Sequence, residues 1–295
     1  MMPEKQTVMH NSEQVAAKKA GNPYFEPAYV KGRHDILDRF KEWRERIENK
    51  DLPKAEKDWE VIWALTGPDE TLEKDAKIHA GEEHKATEYN QTRRRFETAL
   101  EVAREVTAVR LEKNVSEVTS ADIAEQGPIV YWNGKASTND YLLKLIESGK
   151  FEEEFHFPPS RIRISQNRDV QHTNHQLVDF PADMLSTSGK AVIISDIYHL
   201  PRVEENLMGH PEKFTTGNTV LFPSLPSEFP SGQFRNVHRE IRNIPLYKER
   251  GMFSEKEIKP PKKEYILTRI SSSITSMPLT KDIDIQIPEA MRAKD

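Results

Sequence analysis

The amino-acid sequence predicts an α/β protein: a doubly wound domain on a mostly parallel sheet, with a helical N-terminal extension and an irregular C-terminal tail. Three observations lead there. Short apolar runs rich in β-branched and aromatic residues alternate with amphipathic segments of helical period, the order expected of βαβ units. The strongest run, Ala191-Val192-Ile193-Ile194-Ser195, is apolar without alternation, which suits a strand covered on both faces. The runs also stop at small, polar or ionisable residues, which a parallel sheet gathers on one rim.

Composition narrows the class. Hydrophobic residues make up 36% of the 295, low for a compact domain yet too high for a disordered chain, so an ordered core with polar appendages is expected. With 43 basic and 48 acidic residues the net charge is -5, which argues against a nucleic-acid partner, since duplex binding relies on a basic face that displaces counterions. The absence of cysteine removes disulfides, thiolate metal sites and cysteine nucleophiles. The N-terminus lacks the apolar core of a signal peptide, and no run reaches the ~18 apolar residues that span a bilayer. A cytoplasmic protein without a membrane partner is expected.

Residues 1–22 read as a flexible arm and 23–55 as a helical extension. Over Tyr24 to Asn49, Ile36, Leu37, Phe40, Trp43 and Ile47 recur at helical spacing with charges opposite, so this helix packs against the domain that follows. That domain spans 56–254. Its first strand is Trp59 to Leu65, closed by Thr66-Gly67-Pro68-Asp69. Residues 70–90 are polar and give no clear element; a lid over the site is one reading. Thr92 to Glu112 forms a helix with Phe96, Leu100, Ala103, Val106 and Val109 or Leu111 on its core side. Pro128 to Trp132 is a strand ending in Asn133-Gly134, and Asp140 to Ser148 is a helix. Arg161 to Ser165 is a third strand, followed by a helix over His172 to Leu185. The run at 191–195 leads into a helix starting near Leu200, where Pro201 occupies a first turn that needs no N–H from it. Thr219 to Pro223 is a further strand and Asn236 to Lys248 the last helix, with Gly251 as its stop. Beyond 254, Lys259-Pro260-Pro261-Lys262-Lys263 reads as a linker, and the extension 255–295 either wraps the domain or meets a protein partner. No internal repeat is present.

Four strand ends supply the candidate site: Thr66-Gly67, Asn133-Gly134, Ser165-Gln166-Asn167 with His172-Thr173, and Ser195-Asp196-Ile197-Tyr198-His199-Leu200-Pro201-Arg202. His199 titrates near neutrality when unperturbed, so it either serves acid–base chemistry or fixes the strand-to-helix turn through a backbone hydrogen bond. Arg202, three positions on, faces the same rim and either clamps a carboxylate or phosphate or forms a surface salt bridge. Thr173 caps a helix, donates to a ligand, or both. Asn133-Gly134 is first a turn. Arg95 pairs with an acidic neighbour or points into the pocket, and Arg93-Arg94-Arg95 reads as a solvated helix face rather than a nucleic-acid patch.

This combination resembles the YdcF/SanA/ElyC-like proteins over residues 59 to 251. The segment Ser195 to Arg202 is similar to their Ser-Asp-Tyr-His-Met-x-Arg signature. Arg95-Phe96-Glu97-Thr98-Ala99-Leu100 resembles their first helix, and Asn133-Gly134 falls at their Ser-Gly-Gly turn. His172-Thr173-Asn174-His175-Gln176 falls at their Asn-Thr-x-x-Asn helix start, and His238-Arg239-Glu240-Ile241 with Tyr247 to Gly251 is similar to the last helix of cytoplasmic members. The resemblance implies a Rossmann-like fold, and S-adenosylmethionine as one possible ligand. The chain departs from the pattern where several glycines follow the first strand, keeping only Gly67 beside Pro68, and where His172 and Gln176 stand in the asparagine places. It reads as a divergent, cytoplasmic-type member.

Two sharper chemistries find little support. His172 and His175 lack an evident third ligand; Asp196 or His199 could complete a zinc site, but no metal is expected. Ser195 with His199 lacks the Gly-x-Ser-x-Gly turn of a nucleophile elbow. The expectation is therefore a protein that binds a small polar or anionic metabolite, S-adenosylmethionine or another nucleotide-like ligand included. Thr66, Gly67, Arg95, Asn133, Gly134, Thr173, Ser195, Asp196 and Tyr198 would be the ligand contacts, His199 the acid–base group and Arg202 the anion clamp. Group transfer or hydrolysis on an anionic substrate suits that equipment. The competing class is an interaction or regulatory module that keeps the fold without catalysis, consistent with the reduced glycine loop and the terminal extensions.

Overall fold

The computed structural model describes residues 27–66, 72, 91–170, 172–224, 232–249 and 253. The expectations for the arm at 1–22, for Gly67, for nearly all of 70–90, for the Gly251 stop and for the tail at 255–295 lie outside those residues. Five strands form one sheet: β1 (Trp59–Ala64), β2 (Ile129–Trp132), β3 (Ile162–Ile164), β4 (Lys190–Asp196) and β5 (Thr219–Ser224). Their order is β3-β2-β1-β4-β5 and every pairing is parallel. The chain steps outward from β1 to β3, then returns to lay β4 along the other side of β1. The order therefore reverses between β1 and β4. Open α/β sheets bind their ligands beyond the carboxyl ends of the strands at such a reversal.

Strand alternation divides the core between two faces. Ile62, Ala64, Val130, Trp132, Val192 and Ile194 face one side. It is covered by α2 (Gln91–Leu111), α3 (Ser120–Gln126), α4 (Ala136–Glu147) and α5 (Lys150–Phe155). There Phe96 meets Trp132 edge-on at 5.3 Å between ring centroids. Val61, Trp63, Tyr131, Ala191 and Ile193 face the opposite side, under α6 (Thr173–Asp179) and α7 (Leu200–Met208), where Trp63 stacks on Phe180 at 4.8 Å. Cover on both faces explains why Val61 to Ala64 in β1 and Ala191 to Ile194 in β4 read as unbroken apolar runs. Pro223 is tolerated in β5 because that strand lies at the sheet edge, where a missing N–H leaves no partner unsatisfied.

Several boundaries move for local reasons. The helix expected over 172–185 stops at Asp179, and a 3-10 turn over Ala182–Met184 follows Pro181, whose ring cannot continue an α-helix. α3 and α5 are not announced by apolar period. In α3 only Ile123 is buried, and the helix is set by its cap: Thr119 N–H donates to Asp122 at 2.9 Å while the Thr119 hydroxyl oxygen accepts from Asp122 N–H.

α1 (Pro27–Glu48) lies against α7 and α8 (Gly232–Glu249). Its expected apolar face is the one that packs. Ile36 and Leu37 join Tyr198, Val237, Ile241 and Ile244, while Trp43 joins Ile197 and Leu200. A Cβ at position 32 would come within 3.0 Å of Pro245 Cβ, so Gly32 lets α1 approach α8 closely where that helix carries its internal proline. Polar ties reinforce the contact. Trp43 Nε1 donates to Glu204 at 3.0 Å, and Glu205, 5% exposed, takes Arg39 at 2.6 Å and Lys248 at 3.0 Å. No helix among the described residues is long and apolar enough to cross a membrane.

Candidate functional site

Beyond the carboxyl ends of β1 and β4 lies a cleft of about 220 Å³. Thr66 reaches it from the end of β1 and Arg95 from α2. Tyr198 and His199 come from the 3-10 turn Ile197–His199 that joins β4 to α7, and Arg202 from α7 itself. His172, Thr173 and Gln176 line it from the start of α6, Lys135 from the link between β2 and α4, and Arg239 with Glu240 from α8.

A buried ion pair underlies this rim. Asp196, the last residue of β4, is 0% exposed and Arg95 1%. Asp196 Oδ2 accepts from Arg95 Nε at 3.1 Å and Nη2 at 2.8 Å. Arg95 Nη1 donates to the Thr66 carbonyl at 2.8 Å, and Nη2 also meets the Tyr198 hydroxyl at 3.3 Å. That hydroxyl donates in turn to Gln91 at 2.6 Å. One guanidinium thus ties β1, α2, β4 and the turn after β4 together. Burial pushes the Asp196 carboxyl up from its ordinary value, against the pull of Arg95.

Asn133, Gly134, Ser195 and Asp196 sit behind the lining and hold it in place. Asn133 accepts from Trp63 Nε1 at 2.8 Å and donates to the Gln176 carbonyl at 2.7 Å. Gln176 then donates to Thr66 Oγ1 at 2.9 Å. At Gly134 a Cβ would meet the Thr138 hydroxyl and come within 2.7 Å of Thr66 Cγ2, so the absent side chain permits a close approach of two segments. The end of β3 stays outside the cleft, where Asn167 donates to Asp179 at 2.9 Å.

His199 is 7% exposed, and both its ring nitrogens meet hydroxyls. Nδ1 lies 2.8 Å from Ser195 Oγ and Nε2 lies 3.1 Å from Thr173 Oγ1. Burial, and then the charges of Arg95, Arg202 and Arg239, hold the imidazole well below its ordinary pKa, so it is neutral at pH 7. Thr173 is not the cap of α6. His172 is, its Nδ1 accepting from His175 N–H at 3.4 Å. Burial, with His175 and Arg202 nearby, lowers the His172 pKa to about 4.

Arg202 is engaged. Its Nε and Nη2 donate to the two carboxylate oxygens of Glu240 at 2.8 and 2.7 Å, leaving Nη1 outside that pair. Burial raises the Glu240 pKa, opposed by Arg202. The basic trio in α2 is not a solvated face. Arg93 is 7% exposed and held by Glu97 and Glu154 at 2.8 and 2.6 Å, while Arg95 belongs to the interior. Lys135, Gln176, Arg239 and Glu240 are lining residues that sequence reasoning missed. Lys135 follows the Asn133-Gly134 turn directly, a local signal that could have found it. Arg239 and Glu240 arrive on a helix after β5, and their only mark in the sequence is the resemblance of 238–241 to a family's last helix. Among the described residues, no three or more His, Asp or Glu side chains are grouped to hold a metal ion. No protein-family model, curated protein or solved structure matches the chain.

Proposed function

We propose that the chain is a divergent YdcF/SanA/ElyC-like protein that binds a small anionic metabolite, phosphorylated or nucleotide-like, in the cleft between β1 and β4. Charge carries this reading. Arg95, Lys135, Arg202 and Arg239 line the cleft against one carboxylate, Glu240, which Arg202 already holds. Arg95 is balanced by Asp196 behind the lining, and Lys135 and Arg239 add basic groups to the same surface. A phosphate or carboxylate suits such a surface. S-adenosylmethionine suits it less, because its sulfonium and amino groups would face guanidinium and ammonium groups.

The test is thermal denaturation with inorganic phosphate, pyrophosphate, a nucleoside diphosphate and S-adenosylmethionine, on the wild type and on Arg239→Ala with Lys135→Ala. Pyrophosphate and the nucleotide should raise the midpoint, by about 2.7 kcal/mol of stability at a hundredfold excess over Kd. The double variant should lose that gain relative to its own ligand-free midpoint. Equal stabilisation of both proteins, or none by any anion, would refute the reading.

A further inference from the structure

We propose that Thr173 is a nucleophile and that His199 acts through it, so that the site moves a phosphoryl group from a small phosphate monoester to Thr173 Oγ1 and on to water. The proposal rests on the anionic-ligand reading and assigns it a reaction.

Both ring nitrogens of His199 are engaged. Nδ1 is held by Ser195 and Nε2 by Thr173, and the ring is nearly enclosed. No ring nitrogen is left to offer a ligand or a water, so the basicity of the imidazole reaches the cleft only through the Thr173 hydroxyl. That hydroxyl is available for the purpose. His172 takes the capping role at α6, and Thr173 is half-buried and lines the cleft. A hydroxyl in hydrogen-bond reach of a base that a third group orients is the arrangement of an activated nucleophile. Ser195, wholly buried on β4, is that third group and acts as a positioning residue. The working tautomer carries its proton on Nδ1, donated to Ser195 Oγ, and leaves Nε2 to accept from Thr173. Lys135 and Arg239 lie on the same cleft, where they can neutralise the equatorial oxygens of a phosphoryl group in transfer.

The step balances without a further reactant. Thr173 Oγ1 attacks phosphorus and forms a P–O bond while its proton moves to His199 Nε2. The P–O bond to the leaving alcohol breaks, and the alkoxide takes that proton. In the second half the phosphorylated Oγ1 no longer donates to Nε2, so water can attack phosphorus and give its proton to that nitrogen as the P–Oγ1 bond breaks. Thr173 recovers its proton and inorganic phosphate departs.

The experiment uses the full chain and p-nitrophenyl phosphate. A burst of p-nitrophenolate should appear in the time course. Acid quenching followed by intact-mass and peptide analysis should show one phosphoryl group on Thr173. Thr173→Ala should lose the adduct and the burst while still melting cooperatively, and Thr173→Ser should restore both. His199→Asn should lower turnover by about 10²–10⁴-fold. An adduct on another residue, or unchanged turnover in Thr173→Ala, would overturn the proposal. So would a wild type that binds pyrophosphate yet shows no burst and no adduct, and that outcome leaves the anion site standing. A wild type that binds no anion removes both.

Discussion

Replacing Asp196 with alanine would strand the Arg95 guanidinium in the interior. The pair is enclosed, and Asp196 Oδ2 accepts both Nε and Nη2. Breaking a buried pair by removing one partner costs about 3–5 kcal/mol, because the other charge stays without its counterion. Asp196→Asn keeps the volume and one carbonyl acceptor, so it should cost less, roughly 1.5–3 kcal/mol for hydrogen bonds that lose their charge assistance. Arg95→Met combined with Asp196→Leu removes both charges and should come close to neutral for the fold. The same double variant releases the Thr66 carbonyl from Nη1, so it should still impair anion binding. Urea denaturation followed by tryptophan fluorescence suits the measurement, since Trp63 and Trp132 are buried on opposite faces of the sheet. The ranking Ala, then Asn, then the apolar double is the refutable content. A cost under about 1 kcal/mol for Asp196→Ala, or equal costs for Ala and Asn, would show that the pair does not organise the rim.

Two further outcomes follow from the packing and from titration. Trp43→Ala removes a buried ring between Ile197 and Leu200 and the donor to Glu204, so it should cost about 3–5 kcal/mol in the same denaturation assay. The unfolded imidazole of His199 titrates near 6.5 and the folded one well below, so acid takes up more protons in the unfolded chain. The stability His199 contributes is therefore complete above about pH 6.5 and lost as pH falls through the folded value, at up to about 1.4 kcal/mol per pH unit. Between pH 7 and 5.5 the wild type should weaken more than His199→Gln. Parallel pH dependence in the two proteins would show that the ring is not held neutral.

The sheet was legible in the sequence because its central strands are covered on both faces: a run such as 191–194 has no polar position to blur it. The rim was legible because the apolar runs of β1, β2 and β4 give way to polar residues at Thr66, Asn133 and Ser195. What sequence could not divide was the lining from its support. Ser195 and His199 are four apart in sequence and in direct contact, yet one is behind the cleft and the other on it. Arg93 and Arg95, spelled like an exposed basic cluster, turn inward because Glu154 and Asp196 wait there from distant segments. Arg202 has every local sign of an anion clamp, and Glu240 on a later helix satisfies it first. α3 and α5 escaped because a short helix fixed by capping or by two aromatic anchors has no stretch long enough to show a period.

Glu205 has a practical consequence for anyone dividing this chain into fragments. It sits on α7, three positions from Arg202, and its two oxygens are shared between α1 and α8. A fragment begun at residue 56, where the sequence changes character, would discard Arg39 and Trp43 and bare the apolar flank of Ile241 and Ile244 to water. The helices so loosened are those that present Arg202, Arg239 and Glu240. A shortened protein that no longer took up an anion would report a slack scaffold, with every chemical group of the cleft still in the polypeptide.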